Sequence, residues 1–412
     1  MTMTIQIVFY QRIRIRRQNI PLPAHFSFRS HPLHVGLTTT PQPLPPLPKH
    51  NRWLVTLLIT IFLPVFAAVV IYQYESSDPA ELPIHEITSR PAATAPRVNS
   101  HMLEGSERLG EGKLLGPEDL AYDPESGLIY TGCDDGWIKR VRVNDSVVED
   151  WVNTGGRPLG LALGRHGELI VADTEKGLLR VSENGSVELL TDEAEGVKFK
   201  LTDGVDVAED GIIYFTDASY KYRLKDFFSD LLEGRPHGRF MSFDPVTGRT
   251  DVLVRNLYFA NGVAVSPNQD FVVFCESFMS RCLQYYISGE KKGTVDKFIE
   301  HLPGLPDNIR YDGEGHFWIA LPTELSLQWK LTLKYPIIRK VLAILEKYLK
   351  RPQLEKNAGA FTVDLEGNPV ARYCDQRLIY ITGATKIGNY LYCGSLVYPY
   401  IIRLDLTIHG AC

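Results

Sequence analysis

The chain has 412 residues, 44% of them hydrophobic, with 44 Lys and Arg against 49 Asp and Glu, giving a formal net charge of -5 and a pI near 6.1. That suits a globular protein of one large or two ordinary domains, and without a basic excess a nucleic-acid partner has no electrostatic footprint. Charge is nevertheless uneven: no Asp or Glu precedes Glu75, whereas Arg12, Arg14, Arg16, Arg17, Arg29, Lys49 and Arg52 are basic.

Residues 1–52, proline-rich from Pro41 to Pro48, read as a disordered cytosolic tail, with an Arg-rich transit peptide as the alternative. Residues 53–74 read as a membrane-spanning signal anchor, because Trp53 to Tyr72 carries no charge over the length, about 20 residues, that crosses a bilayer core. Trp53, Tyr72 and Tyr74 suit the two interfaces. Lys49 and Arg52 on one flank, against Glu75, Asp78 and Glu81 on the other, place the N-terminus in the cytosol and the remainder in the lumen or outside. A cleaved signal peptide competes, with Ala67-Ala68 a weak cleavage site. The endoplasmic reticulum, the vacuole and the cell surface all satisfy this topology.

All six cysteines lie on the lumenal side, where bridges can form. Cys275 and Cys282 flank an expected hairpin and are either bridged or buried as free thiols. The sequons at Asn144 and Asn184 fall in polar, turn-like stretches on the same side and are candidate glycosylation sites.

After an expected linker over 75–105, one phrase recurs: a polar-glycine lead, an alternating apolar strand, a Gly or Asp turn, then a strand rich in β-branched and aromatic residues. Copies begin at Gly116, Arg157, Leu201, Ala260 and Pro306, and a degenerate one runs through Tyr390–Gly394. Segments such as Gly238–Gly248 supply outer hairpins. The spacing predicts an all-β, six-bladed β-propeller over 106–412 rather than a flat sandwich. Arg223–Glu233 and Leu331–Lys350 have helical spacing instead; the second is expected to pack on the propeller, lid its channel or lean on a membrane.

In a propeller, the inner-strand leads converge on the channel. Here they carry Glu118, Thr202 with Asp203, Asn261, and Asp307 with Asn308. These are oxygen donors suited to a hard cation such as Ca²⁺, although each alone is an ordinary turn residue. No nucleophile elbow, paired-cysteine zinc site or phosphate loop accompanies them.

The phrases Gly116-Pro-Glu-Asp-Leu120, Phe259-Ala-Asn-Gly-Val-Ala-Val-Ser-Pro267, Gly238-Arg-Phe-Met-Ser-Phe-Asp-Pro245 and Leu305-Pro-Asp-Asn-Ile-Arg310 resemble the strictosidine synthase-like family, including its adipocyte plasma membrane-associated type. The likeness covers roughly Leu114 to Leu406, and more distantly the leads are similar to those of paraoxonases and of the gluconolactonase and regucalcin group. That resemblance implies a calcium site on Glu118, Asn261 and Asp307 with Asn308 beside it, and a small-molecule ester or lactone substrate.

It also exposes departures. The paraoxonase lead has a catalytic histidine where this chain has Leu159, and Thr202-Asp203 stands for Asn-Asp. The last-blade glutamate of strictosidine synthase has no counterpart in Tyr380–Tyr392, which contains no acid, so the Pictet–Spengler condensation is not expected. Asp307 is the candidate base and His237 the candidate helper. A propeller without catalysis, serving as an anchored binding module, is the competing expectation.

Overall fold

The computed structural model describes residues 52–74, 78–83, 91–349 and 353–412. The expected tail before Arg52, the flanking Glu75 and the end of the second helical stretch at Lys350 lie outside them. The chain divides after Leu63 into two units, and the second, Pro64–Cys412, holds the last turns of the apolar helix and the whole strand-rich body.

The apolar segment is helical from Arg52 to Tyr74, with a wider π turn over Leu58–Phe62 just before Pro64, which has no N–H for the helical ladder. Val55–Gln73 has a mean hydropathy of 2.6 and no buried side chains, so it is long and apolar enough to span a bilayer.

The strands form six antiparallel blades, whose inner strands are Leu120–Asp123, Pro158–Leu163, Thr202–Val207, Ala260–Val265, Ile309–Tyr311 and Ile381–Ile387. Each blade hides both faces, so apolar residues on alternate positions feed two neighbouring cores. Ala121, Ile138 and Val152 of blade 1 meet Leu161, Leu169 and Val171 of blade 2. Corresponding clusters join blades 2 and 3, 3 and 4, 4 and 5, and 5 and 6. The ring is shut by a sixth cluster in which Ile387, Tyr392 and Ile401 of blade 6 meet Leu120, Ile129 and Val141 of blade 1.

Chain-level closure reinforces this. Glu107–Leu109 adds an outer strand to blade 6, antiparallel to Ile401–Asp405. Arg97–Asn99 pairs in parallel with Pro369–Asp375 on blade 5, and Met102 is fully buried. The segment expected as linker up to residue 105 is therefore part of the body from Arg97 onward.

Two expectations change. The inner strand of the last blade is Ile381–Ile387, and Tyr390–Ser395 is its second strand. The second helical stretch is two helices, Leu327–Lys334 and Pro336–Tyr348, because the residue before a proline avoids helical angles and Tyr335 sits at φ -115, ψ 111. The first stretch is as expected, a short turn over Leu224–Asp226 and a helix over Phe227–Glu233 ended by Gly234 at φ 66.

These helical insertions share a core that is separate from the six between blades. Phe228, Leu231, Trp329, Leu333 and Leu342 pack there with Leu159, Phe259 and Phe278 from the propeller and Leu82 from the segment before it. The Phe228 and Trp329 rings meet edge-on at 6.3 Å.

Candidate metal centre and its cavity

Convergence at the axis depends on glycine. A Cβ on Gly160 would stand 2.1 Å from the Asp203 carbonyl oxygen, on Gly204 2.6 Å from that of Asn261, on Gly262 2.5 Å from that of Asp307, and on Gly383 2.7 Å from that of Glu118. Four of the six inner strands therefore touch the start of the neighbouring inner strand or its lead, an approach only a residue without a side chain allows. The recurring glycine of the repeated phrase thus brings residues far apart in sequence to one point.

There, carboxylate oxygens of Glu118, Asp203 and Asp307 lie within 4.8 Å of one another, all buried. Asn308 Nδ2 donates to Glu118 Oε1 at 2.8 Å, and the Asn261 side chain hydrogen-bonds to Asp307. Thr382 of blade 6 donates to the Glu118 carbonyl at 3.0 Å and fixes that lead from the other side.

Burial, then repulsion from Asp119, pushes the Glu118 carboxyl up to about 8, while the Arg157 guanidinium opposes the shift. Burial and the neighbouring carboxylates also hold Asp203 and Asp307 well above the usual range. Four side-chain oxygens of the cluster, Glu118 Oε2, Asp203 Oδ1, Asn261 Oδ1 and Asn308 Oδ1, have no hydrogen-bond partner, and neither has Thr202 Oγ1. Buried acceptors without donors are costly, and so are like charges at this separation. One hard divalent cation would relieve both, and a donor set of carboxylate and amide oxygens fits such an ion.

One step farther along the inner strands, Arg310 crosses the channel. Its guanidinium ion-pairs with Asp119 and donates to the carbonyl oxygens of Leu161 at 2.7 Å, Val205 at 3.2 Å and Val263 at 3.3 Å. Blades 1 to 4 are thus bound to blade 5 by one cation, which also occupies Asp119.

On the opposite side of the cluster a cavity opens over Glu118, Asp203, Asn261 and Asp307. Its walls are largely apolar: Leu159 comes from the start of the blade 2 inner strand, Phe259 and Phe278 from the connections of blade 4, Phe227 and Leu231 from the first helical insertion and Trp329 from the second. The insertions roof the axial site, and Leu159 lies in its wall.

His237 is elsewhere and does not line this cavity. Its Nδ1 lies 2.6 Å from Asp230 Oδ1, and it stands between the Tyr220 and Tyr222 rings, tying the helix Phe227–Glu233 to blade 3. The Asn144 and Asn184 side chains are exposed at turns. Cys275 and Cys282 are bridged across the hairpin of blade 4.

Sequence reasoning missed Glu355. This carboxylate, 5% exposed, reaches the cavity wall from the segment after the second insertion and accepts from Gln353 Nε2 at 2.5 Å and Leu354 N at 3.2 Å. It belongs to no repeated phrase, so no spacing marks it.

Blades, ring-closing glycines and axial oxygens together define the class, a closed six-bladed propeller whose candidate site is at the channel mouth. Family models agree: one described as strictosidine synthase matches residues 203–290, and one described as strictosidine synthase-like, N-terminal, matches residues 99–141. Protein STRICTOSIDINE SYNTHASE-LIKE 6 of Arabidopsis thaliana is 56% identical over 360 residues, covering 86% of this chain and 96% of the relative. The adipocyte plasma membrane-associated protein of Gallus gallus is 32% identical, over 85% and 89%. The chain belongs to the strictosidine synthase-like family.

Solved structures share the fold. A gluconolactonase from Xanthomonas campestris superposes with a TM-score of 0.54 at 16% identity, covering 81% of this chain and 99% of that one. A calcium-binding protein, regucalcin, from Agrobacterium tumefaciens gives 0.50 at 15% identity, over 72% and 92%.

Proposed function

We propose that this protein is a membrane-anchored hydrolase acting on ester or lactone bonds at the propeller axis, with one divalent cation, Ca²⁺, held by Glu118, Asp203, Asn261, Asp307 and Asn308. The observation that carries the reading is the set of partnerless buried oxygens, those of Glu118, Asp203 and Asn261 on residues that line a largely apolar cavity. The gluconolactonase and regucalcin of the same fold, one named for a lactone and the other for calcium, support it by analogy.

When bound, the cation supplies charge that polarises a carbonyl and steadies an oxyanion. The chain's own residues do the remainder. Leu159, Phe227, Phe259, Phe278 and Trp329 select an uncharged, apolar acyl or aryl group and keep water from it. Asp307, which lines the cavity, is the candidate base that takes a proton from water. His237 remains a helper only in the sense of holding the roof.

A cytosolic N-terminus and lumenal propeller, in the endoplasmic reticulum, the vacuole or at the cell surface, complete the proposal, with Asn144 and Asn184 glycosylated. The spanning-length helix, the Cys275–Cys282 bridge and the exposed sequons support it, as does the printed name of the adipocyte plasma membrane-associated relatives.

A second reading, a binding propeller without turnover, is favoured by Leu159 at the cavity wall. Measuring bound calcium in the purified protein and assaying aryl esters and lactones with and without chelator separates the two. Chelator-sensitive turnover is expected. Calcium retained without turnover establishes the binding module, and no retained divalent ion removes the metal centre from both.

A further inference from the structure

The helix Pro336–Tyr348 is apolar on two sides. Leu342 and Arg339 are buried beneath it, and Ile338 and Leu345 pack on the core of the helical roof. Its outer side is not needed for that packing, yet Ile337, Val341 and Tyr348 are 59%, 44% and 59% exposed, with Ile344 half-buried between them. Spacings of four, three and four place these residues on one stripe. Leu327 and Leu331 of the preceding helix, 69% and 37% exposed, add to the same kind of surface.

Two observations say what covers it. Basic residues border the stripe: Lys334 and Lys347 are exposed and Lys340 is half-buried. Lys340 Nζ lies 4.6 Å from the centroid of the Tyr72 ring, and Tyr72 belongs to the last turn of the apolar helix, within the same structural unit. A tyrosine ending a hydrophobic span marks the level at which the chain leaves the hydrocarbon. An exposed apolar stripe at that level, edged with lysines, has the chemistry of an interfacial helix on an anionic surface.

We propose that Pro336–Tyr348 docks on the leaflet from which the Arg52–Tyr74 helix emerges, its bordering lysines favouring anionic headgroups there, an inference that rests on the reading of that helix as membrane-spanning. The docked helix continues from Leu327–Lys334, whose Trp329 walls the cavity, so docking sets the roof of the axial site against the bilayer.

The test uses the full chain in nanodiscs of phosphatidylcholine with phosphatidylserine. With Cys412→Ser removing the exposed thiol, a nitroxide is placed through Ile344→Cys, with Val341→Cys as the alternative should that variant fail to fold. Ala67→Cys reports the span, and Val246→Cys, at a turn 92% exposed, reports water. The expected result is a ratio of oxygen to aqueous-relaxant accessibility at 344 several-fold above that at 246 and close to that at 67. Adding Lys340→Glu with Lys347→Glu lowers it in these discs and leaves it unchanged in phosphatidylcholine alone.

A label at 344 as open to water as that at 246, while 67 reports hydrocarbon, overturns the docking proposal and spares the anchor. Water at 67 overturns the anchor itself. Spin–spin broadening at 344 assigns the stripe to a second copy of the chain and overturns membrane docking.

Discussion

At the scale of single residues, the axial cluster is a set of acids whose protonated form the fold favours until something positive arrives. Glu118 titrates near 8 in the folded chain against an ordinary 4.5. Between those values the folded protein keeps a proton that the unfolded chain has released, so this contribution to stability is fully present below 4.5 and is lost as pH rises through about 8. A cation must displace that proton, so its affinity rises across the same window and levels off above it. Calcium titrations paired with thermal melts in chelator, taken on both sides of 8, are expected to move in opposite directions. Asn261→Ala removes one partnerless oxygen and the amide that steadies Asp307. Retained metal should fall at least tenfold, equivalent to about 1.4 kcal/mol, with the melting temperature in chelator little changed. Unchanged metal content would show that Asn261 is not a ligand.

Among the elements, the inner strands decide how tightly the ring closes. In Gly262→Ala the new methyl would stand 2.5 Å from the Asp307 carbonyl oxygen and 2.6 Å from Ile309 N, both backbone atoms that cannot swing aside. The blades must part, costing roughly 1–3 kcal/mol as overpacking does. Metal affinity should fall with stability, because the proposed ligands Asp307 and Asn308 lie against Gly262 and shift as the blades part. Arg310→Leu tests the level beneath: it strands the buried Asp119 carboxylate and should cost about 3–5 kcal/mol in a denaturant melt. The ring and its leads are legible in the sequence because Asp-Gly and Asn-Gly recur before apolar strands. Blade 6 is legible only through its second strand, because its inner strand opens on Thr382-Gly383, which carries neither acid nor amide. Arg310 reads as an ordinary polar strand residue, since its carbonyl partners come from three other blades. Glu355 and the roof of the cavity depend on how two insertions fold over the axis, which no local period encodes.

For the whole molecule, stability depends on an N-terminal segment that looks like linker. Six wedge-like cores have no free ends only while blade 6 meets blade 1, and Glu107–Leu109 covers what would otherwise be the exposed outer edge of blade 6. Arg97–Asn99 does the same for blade 5, and between them Met102 fills the core shared by blades 5 and 6. A chain begun at Asp78 keeps Leu82 and both edge strands and should therefore melt as the propeller of the full chain does. One begun at Lys113 loses both edge strands and the buried Met102 and Leu109 side chains. Those two alone contribute roughly 3–6 kcal/mol, at about 1.5–3 each. Its melting point is expected to fall by roughly 10 °C or more, with concentration-dependent association through the uncovered strand edges. If the two shortened chains melt together and both stay monomeric, closure resides in the blade 6 to blade 1 core alone and the added strands are accessory.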